Sequence, residues 1–218
     1  LKRRSSASSP IKPIAHQAYF EESAMNQKSL LEVDWSKIPA PTDDGAAAHL
    51  VGMTIPPIGL VATDDTSVTL SALSGRTVVF AYPRTGEPGK IALVDDWDMI
   101  PGARGCTPQT CGFRDLFAEL KAAGARHVFG LSTQSNAYQI EMASRLHLPF
   151  PVLSDEKLEF TRAVDLPTMQ VAGLTLIKRL VLIVDYSVIT HVFYPVFPPD
   201  RNASDVLAWL KANPVLSS

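Results

Sequence analysis

The chain has 218 residues, 46% of them hydrophobic and 19% charged, with Lys+Arg 20 against Asp+Glu 22 for a net charge of −2. At about 150 residues per domain this is one domain plus an extension, with enough chain to bury a core without disulfide staples. A near-neutral balance with no basic stripe excludes a nucleic-acid footprint. The most apolar long stretch, residues 46–62, carries His49, Pro56 and Pro57 and falls short of the ~20 apolar residues a membrane span needs. Two cysteines cannot make a structural zinc site alone or staple a small secreted domain, so their placement needs another explanation.

Lys2, Arg3, Arg4 and Lys12 all precede the first carboxylate, Glu21, in a stretch that also holds Ser5, Ser6, Ser8, Ser9, Pro10 and Pro13. An Arg/Ser-rich, acid-poor leader over residues 1–24 reads as an organelle (mitochondrial) targeting segment. The reading favoured over it is a disordered tail or vector-derived remnant ahead of an original start at Met25, with the protein cytoplasmic. Amphipathic periodicity is absent before Tyr19. Residues 36–45 are rich in Pro and Asp and read as a linker. The chain thus divides into an N-terminal extension and linker, residues 1–45, disordered or loosely packed, and one compact domain, residues 46–218.

Residues 58–63 and 67–70 form a hairpin across Asp64-Asp65-Thr66, and residues 78–82 make a buried strand that ends at Pro83. A loop rich in Gly and Pro follows. Phe113, Leu116, Phe117 and Leu120 then recur at i, i+3, i+4 and i+7, the face of an amphipathic helix that Gly124 closes. Next come a strand over 127–132 and a helix over 135–146 with Tyr138, Met142 and Leu146 inward. A short strand at 152–153 leads to a helix that Asp155 caps and that runs to about Val164. Residues 180–184 pair with 188–193 across Asp185-Tyr186-Ser187. A last helix, 203–212, is capped by Asn202 and stopped by Pro214. Strands alternating with helices, plus a terminal hairpin, indicate an α/β fold with a mixed central sheet flanked by helices and an N-terminal hairpin.

The two sulfurs lie in Gly105-Cys106-Thr107-Pro108-Gln109-Thr110-Cys111-Gly112. Thr107 suits an N-cap and Pro108 a first helical position, so a helix starts there with Cys106 at its positive end. That place favours the thiolate, the reactive form; the plain alternative is a small buried hydrophobe. Five residues of ideal helix put the two Cα atoms about 8.7 Å apart, beyond the ~7 Å a disulfide spans, so the pair can close only if the first turn unwinds. Other constellations fall away. Gly86-Glu87-Pro88-Gly89-Lys90-Ile91 lacks the spacing and Ser/Thr of a phosphate-binding loop, no histidines are paired at i, i+4, and there is no Cys-x-x-Cys. Asp95, Asp96 and Asp98 read as a solvated loop face.

Cys106-Thr107-x-x-x-Cys111-x-Phe113-Arg114-Asp115, after an apolar strand ending in Tyr82-Pro83, resembles the peroxiredoxins, and among them the bacterioferritin-comigratory or Q-type branch. Val152-Leu153-Ser154-Asp155 and Arg179-Leu180-Val181-Leu182-Ile183-Val184-Asp185 extend the resemblance over most of residues 52–213. It implies a thioredoxin-like fold and a thiol peroxidase with no metal, haem or other cofactor. By the same resemblance Cys106 is the peroxidatic residue, Cys111 the resolving one, and Arg179 the arginine that holds the thiolate and polarises the peroxide. The implied partners are hydrogen peroxide or an organic hydroperoxide and a thioredoxin-like dithiol reductant, with the protein a monomer or weak dimer. One departure matters. The family's Pro-x-x-x-Thr-x-x-Cys run is broken, since Ala103 and Met99 stand three and seven residues before Cys106, behind an insertion of roughly residues 86–99. Thr85, just before the insertion, is then the candidate for the missing hydroxyl, with Thr107 as the substitute. Arg104 is either a second cation near the thiolate or a solvated loop arginine. The rival readings are a redox sensor or binding module switched by the same disulfide, which stops after one equivalent of peroxide, and a non-catalytic scaffold whose Cys106 is an ordinary thiol.

Overall fold

The computed structural model describes residues 33–215; the readings of residues 1–24 and of Met25 lie outside them. Among the described residues nine strands follow in chain order, of which β1 (Gly59–Ala62), β2 (Ser67–Thr69), β3 (Arg76–Ala81), β4 (Ala125–Ser132), β5 (Val152–Ser154), β8 (Leu180–Asp185) and β9 (Val188–Phe193) form one sheet. Its order is β2-β1-β5-β4-β3-β8-β9. Strands β3, β4 and β5 run parallel, while β8 and β9 on one side and β1 and β2 on the other are antiparallel. The mixed sheet expected from the alternation is therefore present, with parallel strands in its buried centre.

Strand pleating sorts the core into two faces. Val78 and Phe80 of β3 and Val181 and Ile183 of β8 face one side, with Phe113, Leu120, Met142, Val206 and Leu210. Val79, Ala81, Leu182 and Val184 face the other, with Leu50, Ile55, Phe160 and Val164. Among the described residues five α-helices cover these faces: α1 (Cys106–Asp115), α2 (Phe117–Ala122), α3 (Asn136–Arg145), α4 (Glu159–Ala163) and α5 (Asn202–Ala212). Phe113 of α1 stacks on Phe80 at 4.1 Å, which fixes α1 over the centre of the sheet.

Several local expectations shift. The helix read through Phe113–Leu116–Phe117–Leu120 breaks at Leu116 (φ −100, ψ 12). The break turns Phe117 toward Phe150, at 5.7 Å, and leaves Leu116 and Phe117 only half-buried beside fully buried Phe113 and Leu120. Asp155 does not sit directly before its helix; its buried carboxylate reaches forward to accept from the Phe160 and Thr161 amides at 3.1 and 2.7 Å. Asn202 is not a cap. A 3-10 turn, Pro199–Arg201, supplies the first turn, and Asn202 is already helical (φ −58, ψ −43), which frees its buried side chain for another task. The sequence reading also missed a second, two-stranded sheet, β6 (Thr168–Val171) with β7 (Leu174–Ile177). Ala172 and Gly173, both at positive φ, form its turn, the x-Gly pattern of a two-residue hairpin. Leu93, Val94, Trp97 and Ile100, from the insertion and the residue after it, pack with Val171 and Leu176 of this hairpin. The insertion is thereby held as a wall.

Candidate active site

Helix α1 begins two residues earlier than the Thr-Pro signal suggested. Gly105 is the N-cap in a left-handed conformation (φ 100, ψ 19), so the chain enters the helix directly at Cys106. Thr107 is inside the first turn, and Pro108 sits where a missing N–H costs nothing, because the first amides of a helix lack partners anyway. Cys106 and Cys111 are both free thiols, both buried, on one continuous helix. The helical spacing that forbids a disulfide thus holds for this state.

Arg179 precedes β8 and points inward, 3% exposed, whereas Lys178 points outward to Asp44. Its Nη2 donates to Cys106 Sγ at 3.2 Å and faces the carbonyls of Gly102, Ala103 and Arg104 at 3.2, 3.2 and 3.0 Å. Its Nη1 donates to Gln109 Oε1, and Gln109 Nε2 in turn donates to Asn202 Oδ1 at 2.8 Å. Gln109 is fully buried one helical turn beyond Cys106, on the same side of α1. Gln109 was not singled out from the sequence, and Asn202 was read only as a helix cap. The i, i+3 step from Cys106 to a polar residue in an otherwise apolar helix face was the available signal. Cys106 Sγ also donates toward Ala103 O at 3.5 Å.

On its open side Cys106 lines a cavity of about 320 Å³ together with Arg84, Thr85, Thr107, Trp97 and Arg104. Thr85, Thr107 and Arg104 are therefore brought to the same space as Cys106, while Cys111 is not and Arg179 approaches from behind. Thr85 is 1% exposed and firmly held: its amide and Oγ1 donate to Gln134 Oε1 at 2.9 and 3.1 Å, and its carbonyl accepts from Tyr138 Oη at 3.0 Å. Among the described residues no hydrogen bond joins Thr85 to Cys106. With its proton committed to Gln134, the Thr85 hydroxyl presents lone pairs to the cavity. Arg104 pairs with Asp98 at 3.3 Å and gives its carbonyl to Arg179.

Cys111 has a different environment. Burial pushes its thiol up, against the pull of Arg114 and Arg145 and with a further push from Asp115. Tyr82, wholly buried beneath, is also raised, chiefly by burial and then by the charge at Cys106. Among the described residues no group of three His, Cys, Asp or Glu side chains is placed to hold a metal, and no helix is long and apolar enough to cross a membrane.

A thiol fixed at a helix start, bonded to a buried guanidinium and open to a small cavity, can act as a nucleophile toward a small electrophile. Comparison with known proteins points the same way. A family model described as Redoxin matches residues 50–209. Peroxiredoxin Q, chloroplastic, of Sedum lineare is 31% identical over 163 residues, 74% of this chain and 77% of that protein. Peroxiredoxin bcp1 of Schizosaccharomyces pombe is 31% identical over 128 residues, 58% of this chain and 57% of that one. Among solved structures, Peroxidoxin BcpB from Mycobacterium tuberculosis superposes with a TM-score of 0.61 at 25% identity, covering 76% of this chain and 98% of that chain. Xanthomonas campestris Peroxiredoxin Q, at 22% identity and a TM-score of 0.57 over 81% and 98% of the two chains, shares the fold.

Proposed function

The chain belongs to the redoxin family, in its peroxiredoxin Q branch, with the thioredoxin-like fold and the peroxidase activity of that branch, and from that premise we propose that Cys106 is the peroxidatic residue and Cys111 the resolving one. The substrate is a peroxide and the electrons come from a thiol reductant. The observation that carries the residue assignment is the 3.2 Å bond from Arg179 Nη2 to Cys106 Sγ at the start of α1. A guanidinium there donates to the sulfur and remains in place to receive charge as the reaction proceeds.

In the first step Cys106 Sγ attacks the nearer peroxide oxygen. The O–O bond breaks, the far oxygen leaves as water or an alcohol after taking a proton, and Cys106 becomes a sulfenic acid. Thr85 accepts a hydrogen bond from the peroxide in the cavity. In the second step the Cys111 sulfur attacks Cys106 Sγ, an S–S bond forms and the sulfenic hydroxyl leaves as water. An external dithiol, thioredoxin or a similar donor, then reduces the bond by thiol exchange. The whole constellation lies within residues 46–218, which act as the catalytic unit, as a monomer or weak dimer, with residues 1–45 as an extension. Residues 1–24 would set the location, organellar if they are read as a leader and cytoplasmic otherwise; fluorescent fusions with and without them separate the two.

Donor-coupled peroxide turnover of the wild type, Cys106→Ser and Cys111→Ser tests this reading. Cys106→Ser should lose turnover, while Cys111→Ser should consume about one equivalent of peroxide and stall as sulfenic acid. A wild-type protein that stops after one equivalent with donor in excess is a sensor and not an enzyme. Reversed behaviour of the two serine variants would exchange the two roles.

A further inference from the structure

Residues 35–44, most of which fall in the 36–45 stretch read from the sequence as linker, touch the frame of the Cys106–Arg179 pair at three places. The Trp35 ring covers Gly105: a Cβ on that glycine would lie 2.6 Å from Trp35 Cη2 and 2.7 Å from Pro199 Cγ. The indole is itself held, its Nε1 donating to Asp200 Oδ2 at 2.6 Å and its ring meeting Phe197 edge-on at 6.0 Å. Pro41 lies against Gly102, whose Cβ would stand 3.7 Å from the Pro41 ring, and the Gly102 carbonyl is one of those facing Arg179. Asp44 accepts from Lys178 Nζ at 2.5 Å and Tyr194 Oη at 2.7 Å, directly beside Arg179 in the chain. These donors hold the Asp44 carboxyl well below the usual carboxylate range.

We propose that residues 35–44 are a strap that positions the reactive thiol, with Trp35 pinning the N-cap of α1 and Asp44 pinning the approach to Arg179, and that Trp35 must lift from Gly105 before the first turn can unwind to join Cys106 to Cys111. This rests on the peroxidase reading above. The strap then acts with opposite sign on the two chemical steps. It speeds the attack on peroxide, which needs Arg179, Cys106 and the 102–104 carbonyls in register. It slows disulfide formation, which needs that register broken. A sulfenic acid held longer in the reactive arrangement is exposed to a second peroxide: the sulfur takes one more oxygen, the O–O bond breaks, water or an alcohol leaves, and Cys106 is lost as sulfinic acid. The strap therefore makes the protein fast and easily over-oxidised. Trp35 and Asp44 are positioning residues, and a merely structural role would not move the two steps in opposite directions.

The test uses the full chain as wild type, Trp35→Ala, Trp35→Phe and Asp44→Asn, with hydrogen peroxide as the probe in rapid mixing. Sulfenic acid is trapped with a carbon nucleophile, and disulfide and sulfinic acid are read by mass. In Trp35→Ala, sulfenic acid should form about fivefold more slowly and disulfide about fivefold faster, the scale of one modest contact, and the peroxide concentration giving half sulfinic acid should rise by a similar factor. Trp35→Phe keeps a ring over Gly105 and should recover most of both changes. Asp44→Asn leaves the core untouched and carries the test if Trp35→Ala does not fold; it should give the same pair of changes at smaller size. Disulfide formation at the wild-type rate in both variants, or both steps slowed together, overturns the strap and leaves the peroxidase reading standing. A wild-type chain that forms no sulfenic acid overturns both.

Discussion

Strand β8 has a buried arginine at each end of its neighbourhood, and the two are treated in opposite ways. Arg76, opposite the far end of β8, is 6% exposed and makes a bidentate pair with Asp185, Nε to Oδ1 at 2.8 Å and Nη2 to Oδ2 at 2.9 Å. It also donates to Asn213 O and lies over the Trp209 ring at 5.2 Å. Arg179, just before β8, is buried as deeply, yet among the described residues its partners are carbonyls, Gln109 and a sulfur, with no carboxylate. A buried cation costs several kcal/mol unless an anion or well-aimed dipoles compensate it. Carbonyl dipoles compensate Arg179 in part, and the remaining deficit is what a Cys106 thiolate relieves. The difference between the two ends is the difference between a finished ion pair and a reactive one.

The comparison breaks most visibly at Arg179. Arg179→Ala should slow the peroxide step by roughly 10²-fold or more, as loss of a single transition-state donor does elsewhere. Its melting temperature should fall only modestly, because the buried Gln109 Oε1 and the 102–104 carbonyls lose a donor but no buried charge is orphaned. Rapid-mixing rates and a thermal melt check both halves, and a full-rate Arg179→Ala would end the assignment. At the other end the pattern inverts. Asp185→Asn leaves Arg76 buried without its anion and should cost about 3 kcal/mol of stability, with the peroxide step unchanged within twofold. Hydrogen bonding from Arg76, against some desolvation, lowers the Asp185 carboxyl. Its contribution is present above the unfolded carboxylate value and is lost as pH falls through the lower folded value. Acid titration of stability should therefore lose part of its slope in Asp185→Asn.

The sequence made one end of this comparison legible and not the other. Val78–Phe80–Tyr82 and the run 180–184 announce buried central strands through apolar continuity, and the two cysteines with Arg179 stand in a pattern resembling a known family. Arg76 and Asp185 face each other only because β3 and β8 pair antiparallel in a register that aligns them, a relation no local window contains. The Gln109–Asn202 bond was missed for the same reason: it comes from α1 and α5 crossing. The helix start was misplaced because Thr107-Pro108 is a strong local capping signal, and the left-handed Gly105, where Trp35 and Pro199 leave no room for a Cβ, overrides it. The hairpin β6–β7 was readable from Ala172-Gly173 and passed over.

Oxidation should sharpen the contrast between the start of α1, which has to open, and strand β8, which does not. Closing the disulfide requires the Cα separation to shrink from about 8.7 Å to below ~7 Å, so the first turn must open. Amide exchange over residues 107–113 should quicken by at least about tenfold on oxidation, while 180–184 stay protected. Equal protection of residues 107–113 in both redox states, with the bond shown intact by mass, would contradict the unwinding step.

The smallest expected effect is a displaced break in a pH profile. Cys111 attacks as thiolate, and burial raises its thiol in the folded helix above the ordinary value. A group raised in the folded state contributes stability that is complete below its unfolded pKa, about 8.5 for cysteine, and is lost as pH climbs through the folded value. Below about 8.5, disulfide formation should gain up to tenfold per pH unit, because the thiolate fraction of the unwound helix rises at that rate. Between the unfolded and folded values the thiolate fraction of the unwound state is already full. Unwinding itself then becomes easier with each pH unit, since only the unwound form has released its proton. The rate should therefore keep climbing past 8.5 and flatten only at the higher, folded value. A single-turnover measurement of disulfide formation after a pulse of hydrogen peroxide, taken from pH 7 to 10, reads the break directly. Flattening at about 8.5 would mean that Cys111 attacks from an already solvated position and that its burial gates nothing.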